Sequence, residues 1–131
     1  MSNQFSVVCQ VQHSVSRLKS ASLPAIPVDD SSVHTWIPKA TLEAISVKRE
    51  KEMEFLTDQG ERIVRSIGFV ILRVGKCFTI DEVIFAERTD HQRLGLRSLQ
   101  GLNLVADTLH QQLKPAPAKS AFSHNRAIFS V

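Results

Sequence analysis

The most informative stretch of this 131-residue chain is Val28-Asp29-Asp30-Ser31-Ser32, where two adjacent carboxylates are followed by two hydroxyls. Paired carboxylates can share a proton and activate a water. Asp and Ser are also turn formers whose side chains bond to nearby backbone N–H groups, and that is the plain explanation of the tetrad. A metal site would have to recruit His34, but Asp29, Asp30 and His34 lack a recognised ligand spacing. A lone histidine two residues from Trp36 reads as packed or solvated, and no metal or other cofactor is expected. Cys9 and Cys77 each lie in an apolar stretch with no Cys-x-x-Cys partner, so they read as small buried hydrophobes.

The elements that must position the tetrad follow from period and punctuation. Residues 5–12 alternate loosely and predict a first strand. Pro24 and Pro27 within residues 17–28 imply an edge strand that is irregular just before Asp29. Residues 33–37 are again extended, and Pro38 with Leu42 and Ile45 predicts a short helix over 38–45. A meander follows. Residues 51–56 and 63–67 form a hairpin around Thr57-Asp58-Gln59-Gly60. A strand over 68–74 turns at Gly75-Lys76 into another over 77–85. Because residues 69–72 are apolar at consecutive positions, that segment should be covered on both faces. A short helix is expected near 99–102, extended pieces at 104–107 and 110–113, and a linker-like tail from Lys114 onward.

These elements make a mostly β domain, closed or sandwich-like, with one or two short helices. The length suits one domain, over 1–114, with 115–131 as a Pro-containing tail. At 43% apolar and 22% charged, the composition excludes disorder, and no internal repeat suggests a solenoid. The net charge of +3 comes from dispersed residues. Arg62, Arg65, Arg73, Lys76, Arg88, Arg93 and Arg97 read as a solvated face, and no aromatic-interleaved motif supports nucleic-acid binding. The start has no basic region of the secretory kind and no apolar run approaches a spanning length, so a cytoplasmic protein without a membrane partner is expected.

Three pieces of sequence stand in a telling order: Val28-Asp29-Asp30-Ser31-Ser32 running on to Trp36-Ile37-Pro38, then Met53 to Arg62 with Gly60 near its tip, then Arg93-Leu94-Gly95-Leu96-Arg97. Together they resemble the retropepsin-like (retroviral-type) aspartic proteases, in particular single-domain bacterial members. The resemblance implies a closed β-barrel of the retropepsin type and a homodimer acting as an aspartic endopeptidase on peptide or protein substrates. It makes Asp29 the catalytic residue and Asp30, Ser31 and Ser32 the rest of its loop. Thr57, Asp58, Gln59, Gly60 and Glu61 become a flap, and Leu94, Gly95 and Leu96 the second signature loop.

One aspartate per chain would suffice, because two symmetry-related carboxylates can share one proton across a twofold axis. The apolar end Ile128, Phe129 and Val131 would supply interface strands. Asp-Asp-Ser replaces the family's Asp-Thr-Gly. Asp30 adds charge where the family has a threonine hydroxyl that bonds across the dimer axis. Ser31 has a Cβ where the family has glycine, so the loop must shift or carry strain. The Ser32 hydroxyl is expected to bond to the Asp29 carboxylate. The alternative is an inactive descendant of the same fold that serves as a peptide-binding or assembly module.

Overall fold

The computed structural model describes residues 4–122 of the chain. Strands β1 (Ser6–His13) and β2 (Ser20–Pro27) form the first hairpin, followed by β3 (Thr35–Pro38) and helix α1 (Lys39–Ala44). Next come β4 (Lys51–Leu56), β5 (Arg62–Val74) and β6 (Cys77–Ala86), then helix α2 (Leu96–Leu102). A last hairpin pairs β7 (Leu104–Asp107) with β8 (Gln112–Pro115). Lys114 and Pro115, expected to open a linker, therefore lie in a strand. The apolar end Ile128, Phe129 and Val131 lies outside the described residues.

The main sheet has the order β2-β1-β5-β6-β3, with β4 also paired to β5. It is mostly antiparallel, but β3 runs parallel to β6. The 13 residues of β5 explain this branching: its first half takes β4 on one side, its second half takes β1 on that side, and β6 runs along the other from Ile67 onward. The expected break between 67 and 68 is absent. Gly68 continues the strand, and a Cβ there would lie 2.7 Å from the Lys48 carbonyl oxygen, so the glycine serves a close approach and not a turn. The prolines of β2 behave as predicted. The strand lies at the sheet edge, and its register to β1 slips by one residue opposite Pro24 and Ala25.

The predicted closed barrel is not formed: no sheet closes on itself. The two outer strands, β2 and β3, do not pair with each other. Two residues span the gap instead, Leu94 bridging to Val28 and Arg93 bridging to Trp36. Closure needs a strand's length of ladder, and Pro27 just before Val28 removes a donor from this edge.

The core lies on one face of the sheet. Cys9, Val11, Val70, Leu72, Val83 and Phe85 meet Leu42 and Ile45 from the α1 region and Leu99 and Leu102 from α2. A smaller cluster, Trp36, Ile67, Ile84 and Ala86, packs with Met53, Phe55 and Ile63 beneath the β4–β5 hairpin. Each such large side chain contributes about 1.5–3 kcal/mol when fully buried. Val70, Ile71 and Leu72 are buried on both faces, whereas Phe69, expected with them, is 44% exposed. Pro38 caps α1 at the position before its first helical residue, where its missing N–H costs nothing. No helix among the described residues is long and apolar enough to cross a membrane.

Candidate functional site

Asp29 begins a tight turn. Ser32 N–H donates to the Asp29 carbonyl at 3.1 Å, and Asp29 Oδ1 accepts both Ser31 N–H at 3.0 Å and the Ser31 hydroxyl at 2.5 Å. This is the self-bonded Asx arrangement that Asp and Ser favour. Ser31 is not among the described residues with left-handed backbone, which besides glycines are Ser46, Asn103 and Gln111, so its Cβ carries no strain of that kind. Asp30 is exposed at the tip. Ser32 differs from expectation, because its hydroxyl donates to the His34 carbonyl at 2.8 Å and accepts Arg93 Nε–H at 3.0 Å, leaving the Asp29 carboxylate to Ser31.

The segment behind this turn is pinned by the second predicted loop. Asp29 N–H donates to the Leu94 carbonyl at 2.9 Å and Leu94 N–H to the Pro27 carbonyl at 2.8 Å, while Leu96 N–H reaches the Ser32 carbonyl at 2.7 Å. Gly95 is required by contact: a Cβ would lie 2.3 Å from the His34 carbonyl oxygen. Its N–H donates to Thr35 Oγ1 at 2.9 Å, Thr35 Oγ1 and Ser98 Oγ are 2.6 Å apart, and Ser98 Oγ donates to Asp81 Oδ2 at 2.9 Å. Since Ser98 spends its proton on the carboxylate, the Thr35 hydroxyl must donate to Ser98. The proton order along this buried chain is therefore fixed from Gly95 to Asp81.

The β4–β5 hairpin stands over the turn. Thr57 N–H donates to the Glu61 carbonyl at 2.8 Å, Gly60 N–H returns to the Thr57 carbonyl at 2.9 Å, and Gly60 has φ +80°. Between hairpin and turn lies a cleft of about 750 Å³, with Trp36, Met53, Phe55 and Ile63 among its apolar walls and Thr57, Asp58 and Gln59 at the flap side. A second cavity of about 720 Å³ is lined by Gln4, Asp29, Ser31 and Gln92. Ser32, Asp58, His91 and Arg93 line both.

Charge around the cleft is mostly paired. Arg65 grips Asp90 through two hydrogen bonds, Nε to Oδ2 at 2.6 Å and Nη2 to Oδ1 at 3.0 Å. Desolvation opposes ionisation of Asp90, but Arg65 and the Glu87 N–H outweigh it and hold the carboxyl below its usual pKa. Lys51 and Arg97 flank Glu82, whose pKa is lowered first by the Lys51 hydrogen bond, against desolvation, with Arg97 adding to it. Burial pushes the His34 imidazole below its usual pKa, with Arg97 reinforcing and Glu82 and Asp81 opposing. His34 packs edge-on against Phe55 at 5.8 Å. Burial also pushes the Cys9 thiol up to about 12, partly offset by a backbone hydrogen bond at Arg73, which makes it a packing residue and not a nucleophile.

The structure thus brings together Asp29, Ser31 and Ser32 with Asp58 of the β4–β5 hairpin around adjoining cavities, while Thr57 and Gln59 line the larger one alone. Asp30, Gly60 and Glu61 line neither cavity. Leu94 and Gly95 are buried supports and Leu96 is partly exposed at the start of α2. Sequence reasoning missed Thr35, Ser98 and Asp81 as a positioning chain, and it placed Arg93 on a solvated face. A signal for Arg93 existed in its position immediately before Leu94-Gly95. Among the described residues, no group of three or more His, Cys, Asp or Glu is arranged to hold a metal. No protein-family model matches the chain, and no curated protein matches it.

Proposed function

We propose that the chain is a retropepsin-like aspartic endopeptidase that works as a homodimer on extended peptides. The observation that carries this reading is the convergence of three sequence-distant pieces: the Asp29 turn, the Thr57–Glu61 hairpin tip above it and the Leu94-Gly95 support behind it. In this reading a second copy supplies a second Asp29 across a twofold axis. One carboxylate then takes a proton from water while the other donates to the substrate carbonyl, the pair sharing one proton between turnovers. Ser31 fixes the orientation of each carboxylate through Oδ1. Asp29→Asn is expected to abolish cleavage of an unstructured protein substrate at acidic pH with the fold intact by circular dichroism. Cleavage that survives the change rules the mechanism out.

A second reading, a peptide-binding or assembly module on the same scaffold, is favoured by one specific feature. The Asp29 carboxylate is engaged by Ser31 within its own turn, and Asp30 stands exposed beside it. The double change Asp30→Thr with Ser31→Gly discriminates: cleavage appearing only in that variant assigns the native chain to binding.

A further inference from the structure

Arg93 differs from its charged neighbours. Arg65 is neutralised by Asp90 and Arg62 by Glu54, while Lys51 and Arg97 pair with Glu82 and Asp81. Arg93 makes no ion pair with a carboxylate among the described residues; its charge reaches Asp90 only at a distance, and the Asp90 oxygens are held by Arg65. Its Nε–H donates to Ser32 Oγ at 3.0 Å, one Nη1–H donates to the His91 carbonyl at 3.0 Å, and its guanidinium lies over the Trp36 ring at 4.6 Å from the centroid. The backbone sets this stacking, since Arg93 and Trp36 exchange hydrogen bonds at 2.9 and 3.0 Å across an isolated bridge. Two hydrogen bonds and a cation–π contact hold the planar fork, and no acceptor meets its Nη2 end among the described residues.

We propose that Arg93 is the specificity-determining residue of the cleft: it binds an acidic side chain of an extended peptide whose neighbouring large apolar side chain packs on Trp36, Met53, Phe55 and Ile63. The proposal rests on the reading of the cleft as a peptide site and adds the chemistry of the peptide. A guanidinium already fixed in place loses little freedom on pairing, and its fork matches a carboxylate. Arg93 lines both cavities, so space continues on either side of it. A carboxylate within a peptide, and not one at its end, meets that geometry.

The test is calorimetric titration of the Asp29→Asn protein, in which turnover cannot intervene, with octapeptides blocked at both ends. Peptides carrying central Phe-Glu and Glu-Phe are compared with Phe-Gln and Gln-Phe, and with a Phe-Gln peptide whose only carboxylate is its C-terminus. A Glu peptide is expected to bind about tenfold more tightly than its Gln counterpart at low salt, as for a charge-assisted fork pair in a partly buried site. The preference, read as the ratio of the Glu and Gln dissociation constants within one variant, should vanish in Asp29→Asn/Arg93→Gln and be partly retained with Arg93→Lys. Equal binding of Glu and Gln peptides, a preference that survives Arg93→Gln, or selective binding of the free C-terminus overturns the role of Arg93 alone. Absence of binding by every peptide overturns the peptide-site reading and this proposal with it.

Discussion

At the Thr35 end of the segment that carries Asp29, each side-chain bond reaches far along the chain: Thr35 meets Gly95 and Ser98, which lie 60 and 63 residues away, and both hydroxyls are fully buried. At the Asp29 end the side-chain bonds close on residues two positions away, in partly or fully exposed surroundings. The same seven-residue stretch is thus anchored to the fold at its back and closed on itself at its front. The contrast implies that residues 30 and 31 can vary while the support behind them remains intact. A locally satisfied turn can change its residues at little cost to folding, whereas removing one member of a buried hydroxyl chain leaves its neighbours' polar groups buried without partners.

Four measurements break or sharpen that contrast. Gly95→Ala should have the largest effect, about 3 kcal/mol lost in denaturant unfolding, because the new methyl meets backbone that cannot yield. A cost below 1 kcal/mol would mean that the back of the loop is soft. Thr35→Val keeps the shape but leaves the Gly95 N–H buried without an acceptor, and should cost roughly 2–3 kcal/mol, with Thr35→Ser recovering most of it. At the front, Ser31→Ala removes one exposed hydroxyl bond and should cost no more than about 1 kcal/mol. Parity between Ser31→Ala and Thr35→Val in the same urea titrations would erase the distinction between the two ends.

The fourth measurement is the pH dependence of stability, whose effect is smaller still. Asp90 is held below its ordinary value of 3.8 in the folded chain, so the unfolded chain binds the proton first as pH falls. The contribution is complete above about that value and is lost as pH drops through the lower folded pKa. Asp90→Asn should therefore flatten the acid limb of the stability curve below pH 4 and leave its slope near neutrality unchanged. His34, whose folded pKa is also depressed, acts in a separate window that opens below 6.5. Stability should already decline from there, and His34→Gln should remove that upper part of the slope while sparing the lower.

Much of the fold was legible in local pattern. The hairpin around Thr57 to Gly60, the turn at Gly75 and the irregular edge strand holding Pro24 and Pro27 all appear where period and turn chemistry predicted them. Other features were not legible because they depend on what lies opposite. Gly68 looks like a strand break until Lys48 and Val47 are found against it. The Ser32 hydroxyl, two residues from His34 and three from Asp29, turns to His34, and Arg93 arrives from 61 residues away to donate to it.

By itself, then, the sequence determined the order and kind of the elements, since alternation, prolines and glycines act within a few residues of themselves. It also placed turns at Asp29 to Ser32 and at Thr57 to Gly60, because Asp, Ser and Gly clustered between apolar runs are visible in one dimension. Only the tertiary structure decided that the sheet stays open between β2 and β3, that Thr35, Ser98 and Asp81 form one proton-ordered chain, and that Arg93 stacks on Trp36 at the cleft without an ion pair among the described residues. Each of these is a pairing across many tens of residues, set by which strand edges and faces meet, and no local period carries that information.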